Sequence, residues 1–218
     1  MASKVDAMAS IRGRRFVLAL AGLLSLTGLV GWAQGIGGTV PTEKIFEAIG
    51  VREGVTVCEI GAGDGTLTLE AARAVGAKGR VFSSELPPRV EALQAIVTKS
   101  GLTQVTVVTG DPVKTNFPEA GCDALFMRNV YHHFAEPVAM DKSIVAALKP
   151  GGRLAIVDFT PPGAEAEKPA DRAGDQMHGV SAASITREMK EAGLDPLPAE
   201  VRSGRWFMVV FAKPKGQG

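Results

Sequence analysis

Three glycines stand at alternate positions, Gly61, Gly63 and Gly65, directly after the apolar run VTVCEI, and Glu59 lies two residues ahead of the first. Glycines after a strand let the backbone approach a ligand closely. A carboxylate beside them accepts hydrogen bonds from hydroxyl or ammonium groups. Two further acids end short apolar runs: Glu85, 24 residues after Gly61, and Asp111 in VVTGDP. Such a set suits a nucleotide-derived cofactor. The dinucleotide fingerprint G-x-G-x-x-G would need a third glycine at position 66, where Thr66 stands, which argues against a nicotinamide oxidoreductase. A second group follows a later apolar run, in MRNVYHHFAEP. There His132 and His133 are candidate bases, because histidine titrates near neutrality, and Tyr131 is a candidate to orient an acceptor. Neighbouring side chains point different ways, so the two histidines are not both expected to serve chemistry. The remaining histidine, His178 in DQMHGVS near Asp175, is a candidate substrate-binding residue. With no H-x-x-x-H or C-x-x-C spacing, no metal is expected.

The elements that must position these residues alternate along the chain. A short helix is expected over Thr42–Ile49, then a strand through VTVCEI and a helix from Leu67 to Val75. RVFSSEL predicts a second strand, and the segment from Pro88 to Gly101 a helix with Val90, Leu93, Ile96 and Val97 on one face. TQVTVVTG and DALFM predict two more strands. A helix over Pro137–Leu148 ends at Pro150-Gly151-Gly152, and RLAIVDF is a fifth strand. Thr160–Val180 has no period and reads as an excursion loop or lid. Ser184 is a candidate cap for a last helix, and RWFMVVFAKP is a final strand expected near a sheet edge. This alternation predicts an α/β fold: a three-layer, doubly wound, mostly parallel sheet. Ligands of such sheets bind at the carboxyl ends of the strands, which is where the glycine loop lies.

Glu59 followed by G-x-G-x-G, with the acids at 85 and 111 and the later block LKPGGRLAIVDF, resembles the class I S-adenosylmethionine-dependent methyltransferases, over roughly Pro41 to the C-terminus. The resemblance implies a Rossmann-like fold and S-adenosylmethionine as cofactor. It implies that Glu59, Gly61, Ala62, Gly63 and Gly65 border the cofactor, that Glu85 with Leu86 meets the ribose hydroxyls, and that Asp111 with Pro112 meets the adenine. Arg128 and Asn129 complete the implied set. The stretch N-V-Y-H-H-F, Asn129 to Phe134, is similar to that of quinone-pathway and related small-molecule methyltransferases, and lacks the prolines of the N-P-P-Y element. The implied reaction is in-line methyl transfer to a small-molecule acceptor. The alternative is a non-catalytic S-adenosylmethionine-binding module of the same fold in the cell envelope.

Residues 1–33 differ from the rest. Arg12, Arg14 and Arg15 precede an uncharged apolar run from Phe16 to Ala33, with small residues at Gly31 and Ala33. That order is a signal peptide or a membrane anchor through residues 16–33, and Arg14-Arg15 fits a twin-arginine signal. Residues 34–40 read as a spacer, and 41–218 as the methyltransferase domain. The domain is expected outside the cytoplasm, periplasmic or anchored facing outward. Removing the leader takes away four bases and one acid, leaving 20 bases against 22 acids, a mildly acidic domain. The formal net charge of the whole chain, +1, gives no electrostatic footprint for nucleic acid. Nothing in the sequence bears on the oligomeric state. Cys58 and Cys122 are expected as free, buried residues rather than a bridge.

Overall fold

The computed structural model describes residues 40–174 and 177–216. The expected leader, most of the spacer and Asp175 lie outside them. Helix α1 (Thr42–Ile49) leads into strand β1 (Thr56–Ile60), followed by α2 (Thr66–Val75), β2 (Arg80–Glu85), α3 (Pro87–Ser100) and β3 (Val105–Thr109). Then come β4 (Cys122–Arg128), a 3-10 turn at Tyr131–His133, α4 (Pro137–Ala147) and β5 (Leu148–Phe159). A second 3-10 turn at Pro169–Asp171 precedes α5 (Ala182–Glu191), β6 (Asp195–Ser203) and β7 (Trp206–Ala212). The strands form one seven-stranded sheet in the order β3-β2-β1-β4-β5-β7-β6. All pairings from β3 to β5 are parallel, and β7 is antiparallel to both β5 and β6.

The order reverses between β1 and β4, so the glycine loop after β1 and the segment after β4 open at one crevice. Side chains alternate across the sheet as pleating demands. Leu125, Met127, Leu154, Ile156, Phe207 and Phe211 pack under α4 and α5, with Met140, Ile144, Ile185 and Met189. Val57, Ala124, Phe126, Ala155, Val157, Met208 and Val210 face α1 and α2, with Ile45, Ile49, Leu67, Ala71 and Val75.

Two sequence expectations change, and one strand is added. The final apolar run, β7, lies near the edge as expected, and β6, unseen in the sequence, forms the edge outside it; Pro196 and Pro198 in β6 suit an outer strand. Helix α5 is capped by Ser181, whose hydroxyl accepts the Ser184 N–H at 3.1 Å, rather than by Ser184. Cys58 and Cys122 form a disulfide, with a Cα–Cα separation of 5.8 Å. A register irregularity between Cys122 and Ala124 breaks the alternation of β4 and leaves Cys122 on the same face as Cys58. Both cysteines are fully buried.

The bridge closes a sequence separation of 64 residues. In the chain-entropy account, a loop of that size stabilises by about 4 kcal/mol. The double substitution Cys58→Ala/Cys122→Ala should lower the unfolding free energy from urea melts by no more than that amount, with a steeper slope because the unfolded chain is no longer cross-linked. Thiol reagents should label neither cysteine of the wild type, even in denaturant, until a reductant is added.

Candidate active site

The loop after β1 is built by backbone geometry. Gly61, Gly63 and Gly65 all have positive φ, at 74°, 57° and 74°. At Gly61 a Cβ would also lie 2.4 Å from Cγ2 of Val130, so the loop after β1 and the segment after β4 touch only because that side chain is missing. A Cβ at Gly63 would meet nothing within 4 Å, which leaves the loop's crest open to a ligand. The Gly61 and Ala62 amides both donate to the Ser84 carbonyl at 3.0 Å, tying the loop to β2.

The acids divide their work. Glu85 is buried at the end of β2; its Oε2 accepts the Gly63 amide at 2.7 Å and its Oε1 the Leu86 amide at 2.9 Å. These bonds aim the carboxylate across the loop, and each oxygen keeps a lone pair for a hydroxyl. Glu59 is turned inward. Its Oε2 accepts hydrogen bonds from the Thr68 hydroxyl of α2 and the Ser83 hydroxyl of β2. Burial pushes its pKa up to about 7, against the pull of those two hydroxyls and of Arg128. Glu59 therefore clamps the strand–loop–helix unit from beneath. Asp111 is half-buried after β3, and its Oδ1 accepts the Val113 amide at 2.9 Å in an Asx turn beside the exposed Pro112. Asn129 sits at the end of β4 with φ 60°, and its Oδ1 is buried without a partner among the described residues. Arg128 is half-buried beside it.

The segment after β4 differs from its sequence reading. The 3-10 turn sends Tyr131 inward and His132 toward β5. Tyr131 is fully buried and its hydroxyl lies 3.0 Å from Asp141 Oδ2 and 2.8 Å from Glu188 Oε2. It anchors α4 and α5 and does not meet an acceptor. One hydroxyl proton cannot serve two carboxylates; burial raises the Asp141 pKa to about 7, which favours a second proton at this pair below that pH. Arg172, from the aperiodic segment, forms a two-pronged pair with Glu188, with Nη1 donating to Oε2 at 3.0 Å. That pair and the Ser184–Glu165 hydrogen bond at 3.0 Å pin the excursion to α5.

His132 is buried against Asp158, the last acid of β5. Asp158 Oδ1 lies 2.8 Å from His132 Nδ1 and also accepts the Phe159 amide at 2.8 Å, while Oδ2 accepts the His132 amide at 3.2 Å. Because the carboxylate can only accept, His132 carries its proton on Nδ1 and presents the Nε2 lone pair. That Nε2 lies 2.9 Å from Nε2 of His178. The exposed ring of His133 lies against His132, with centroids 4.0 Å apart. Partial burial and the two neighbouring histidines hold the His133 pKa below its ordinary value. The rings of His132 and His133 thus lie side by side, although adjacent side chains were expected to point different ways. The fold also brings in His178, which sequence spacing could not reveal. A Cβ at Gly179 would lie 2.5 Å from the Phe159 carbonyl, so glycine there lets the His178 loop settle on the end of β5. Phe159 lies edge-on to His178 at 5.1 Å and to Trp206 at 4.9 Å, forming an apolar wall. Asp158 was missed in the sequence, although a charged residue closing the apolar run LAIV was a usable signal.

Comparison with known proteins fits this architecture. Residues 57–152 match the family of the methyltransferase domain. That match runs from β1, through the glycine loop, to the tight turn in β5, and the sheet around it has the Rossmann-like, mostly parallel fold. The chain is 31% identical over 128 residues to protein-L-isoaspartate O-methyltransferase 2 of Archaeoglobus fulgidus, covering 58% of this chain and 56% of that protein. It is 32% identical over 123 residues to the ubiquinone/menaquinone biosynthesis C-methyltransferase UbiE of Pseudomonas paraeruginosa, covering 54% and 46%. The chain thus spans about half the length of these curated relatives. A solved S-adenosylmethionine-dependent methyltransferase from Aquifex aeolicus superposes with a TM-score of 0.67 at 25% identity, over 78% of this chain and 88% of that one. The cofactor of this domain is S-adenosylmethionine, and the residues present fit it. The loop crest at Gly63 is open, Glu85 is aimed with free lone pairs, and Asn129 Oδ1 is buried and unpartnered.

The elevated Glu59 pKa has a signed consequence. Between the ordinary glutamate pKa near 4.3 and about 7, the folded domain holds a proton on Glu59 that the unfolded chain has released. Stability is therefore lost as pH rises through that window. Glu59→Gln keeps an oxygen acceptor for Thr68 and Ser83 and removes the titration. In urea melts the variant should gain on the wild type by up to about 1.4 kcal/mol per pH unit from pH 4.5 to 7, then level off. A pH-independent difference would place the carboxylate in an ordinary environment.

Proposed function

We propose that this chain is an S-adenosylmethionine-dependent methyltransferase whose small-molecule acceptor binds at the histidine end of the crevice. The observation that carries the reading is the buried His132–Asp158 pair, held at the carboxyl ends of β4 and β5 beside the glycine loop of β1. When bound, S-adenosylmethionine supplies a methyl group already activated on a sulfonium, which departs as a neutral thioether. Glu85 receives the ribose hydroxyls, while Asp111 and Asn129 take further polar contacts of the cofactor. Asp158 fixes the tautomer and angle of His132, so that the cluster can hold an acceptor and relieve it of a proton. The wall of Phe159 and Trp206 shields one side of that end and favours an acceptor with apolar surface. Catalysis is then chiefly positioning and desolvation.

Titration calorimetry on the purified full chain tests this. S-adenosylmethionine or S-adenosylhomocysteine should bind at sub-millimolar concentration, and methylated products should appear in host extracts incubated with the enzyme. Glu85→Ala should weaken cofactor binding by about 100-fold, as expected for two lost charge-assisted hydrogen bonds, with unchanged circular dichroism. Undetectable cofactor binding by the wild type would overturn the reading.

We also propose that residues 1–33 direct the domain out of the cytoplasm. The leader's pattern supports this, and so does the Cys58–Cys122 disulfide, a bond that persists in oxidising compartments. Among the described residues no helix is long and apolar enough to cross a membrane, so any anchoring falls to the leader. Fractionation of the native host, with mass spectrometry of the mature N-terminus, should find the domain in the envelope. Full-length protein confined to the cytosol would refute export.

A further inference from the structure

The ring nitrogens of His132, His133 and His178 come within 4.8 Å of one another, each able to offer one ligand atom. We propose that these three histidines bind a divalent transition-metal ion, zinc foremost, and that the ion's remaining coordination position takes an oxygen, nitrogen or sulfur atom of the methyl acceptor. The metal site stands on the histidines alone; only the placing of the acceptor rests on the function proposed above.

Four features support the assignment. The ligand set is three imidazoles, the composition of zinc sites that keep one position open for water or substrate. The most buried imidazole, His132, has its other ring nitrogen held by Asp158 at 2.8 Å. That carboxylate–histidine arrangement recurs behind metal-bound imidazoles, where it fixes tautomer and orientation. The Nε2 atoms of His132 and His178 face each other at 2.9 Å. Tetrahedral zinc with bonds of about 2.0–2.1 Å holds two nitrogens about 3.3 Å apart, so a small ring rotation admits the ion. Finally, the chain invests in bringing His178 there. Gly179 permits the close approach to the Phe159 carbonyl, Val180 donates to that same carbonyl at 3.0 Å, and Arg172 pins the preceding segment to Glu188. With the ion bound, Nε2 of His132 is a ligand rather than a proton acceptor. The ion then supplies the acidity of a coordinated acceptor, whose proton passes to solvent.

Tag-free full-length protein, stripped with chelator and titrated with cobalt(II) or zinc(II), tests the site. The wild type should bind one equivalent, cobalt(II) should develop the visible bands of a four- or five-coordinate site, and zinc(II) should displace it. His178→Ala and His133→Ala, both at partly or fully exposed positions, should each weaken zinc affinity at least about 100-fold with unchanged circular dichroism. Asp158→Asn should weaken it about 10–100-fold. Should that buried variant fail to fold, the two histidine variants decide the matter. Wild-type zinc affinity weaker than about 1 µM, or wild-type affinity in His178→Ala, would overturn the proposal. Calorimetry of the wild type with S-adenosylhomocysteine separates the two inferences. Cofactor binding without metal binding removes the metal site and leaves the methyltransferase; metal binding without cofactor binding does the reverse.

Discussion

A carboxylate with no exposure to water must have its lone pairs occupied, and at Asp158 that requirement organises the whole reacting end. It is the penultimate of six consecutive buried residues that end β5, and it takes donors from the next backbone amide, from the His132 amide and from the His132 ring. The strand end, the 3-10 turn and the imidazole orientation are thereby settled together. Leaving any of those donors unmade would strand a buried charge, which is far costlier than a surface bond is valuable.

A second buried polar group works in parallel on the other side of the same turn. Tyr131, one residue before His132, joins Asp141 and Glu188, and Glu188 in turn holds Arg172. Consecutive residues of a tight turn thus send one side chain to the helices and the next to the sheet. The helix-side network fixes where the Thr160–Val180 excursion lies, and the sheet-side network fixes the histidine it must meet. The excursion has no periodicity because it is held by individual ion pairs and backbone bonds rather than by an apolar face.

The cofactor end was legible because its determinants are local. Glycines at 61, 63 and 65 are needed by backbone conformation and by the nearness of Val130, and Glu85 by its place at a strand end. Apolar runs, helix caps and glycine stops announced β1 to β4, the core of β5 and the five helices among the described residues, because these signals are written residue by residue. Strand β6 escaped because it alternates weakly around two prolines and owes its pairing to β7. Tyr131 was misassigned because proximity in sequence to two histidines says nothing of direction in a 3-10 turn. The disulfide escaped because it depends on a register irregularity in β4.

By itself, the sequence determined an alternating α/β chain, a glycine loop that admits S-adenosylmethionine rather than a dinucleotide, and acids at the ends of the next strands. Those properties follow from residue type and short-range spacing. Only the tertiary structure decided what happens at the other end of the crevice. Residues 132, 158 and 178 lie far apart in the chain and meet because parallel β4 and β5 end side by side and because the loop after β5 folds back over them. A three-histidine cluster backed by a buried carboxylate is a property of that crossing, and no linear spacing encodes it.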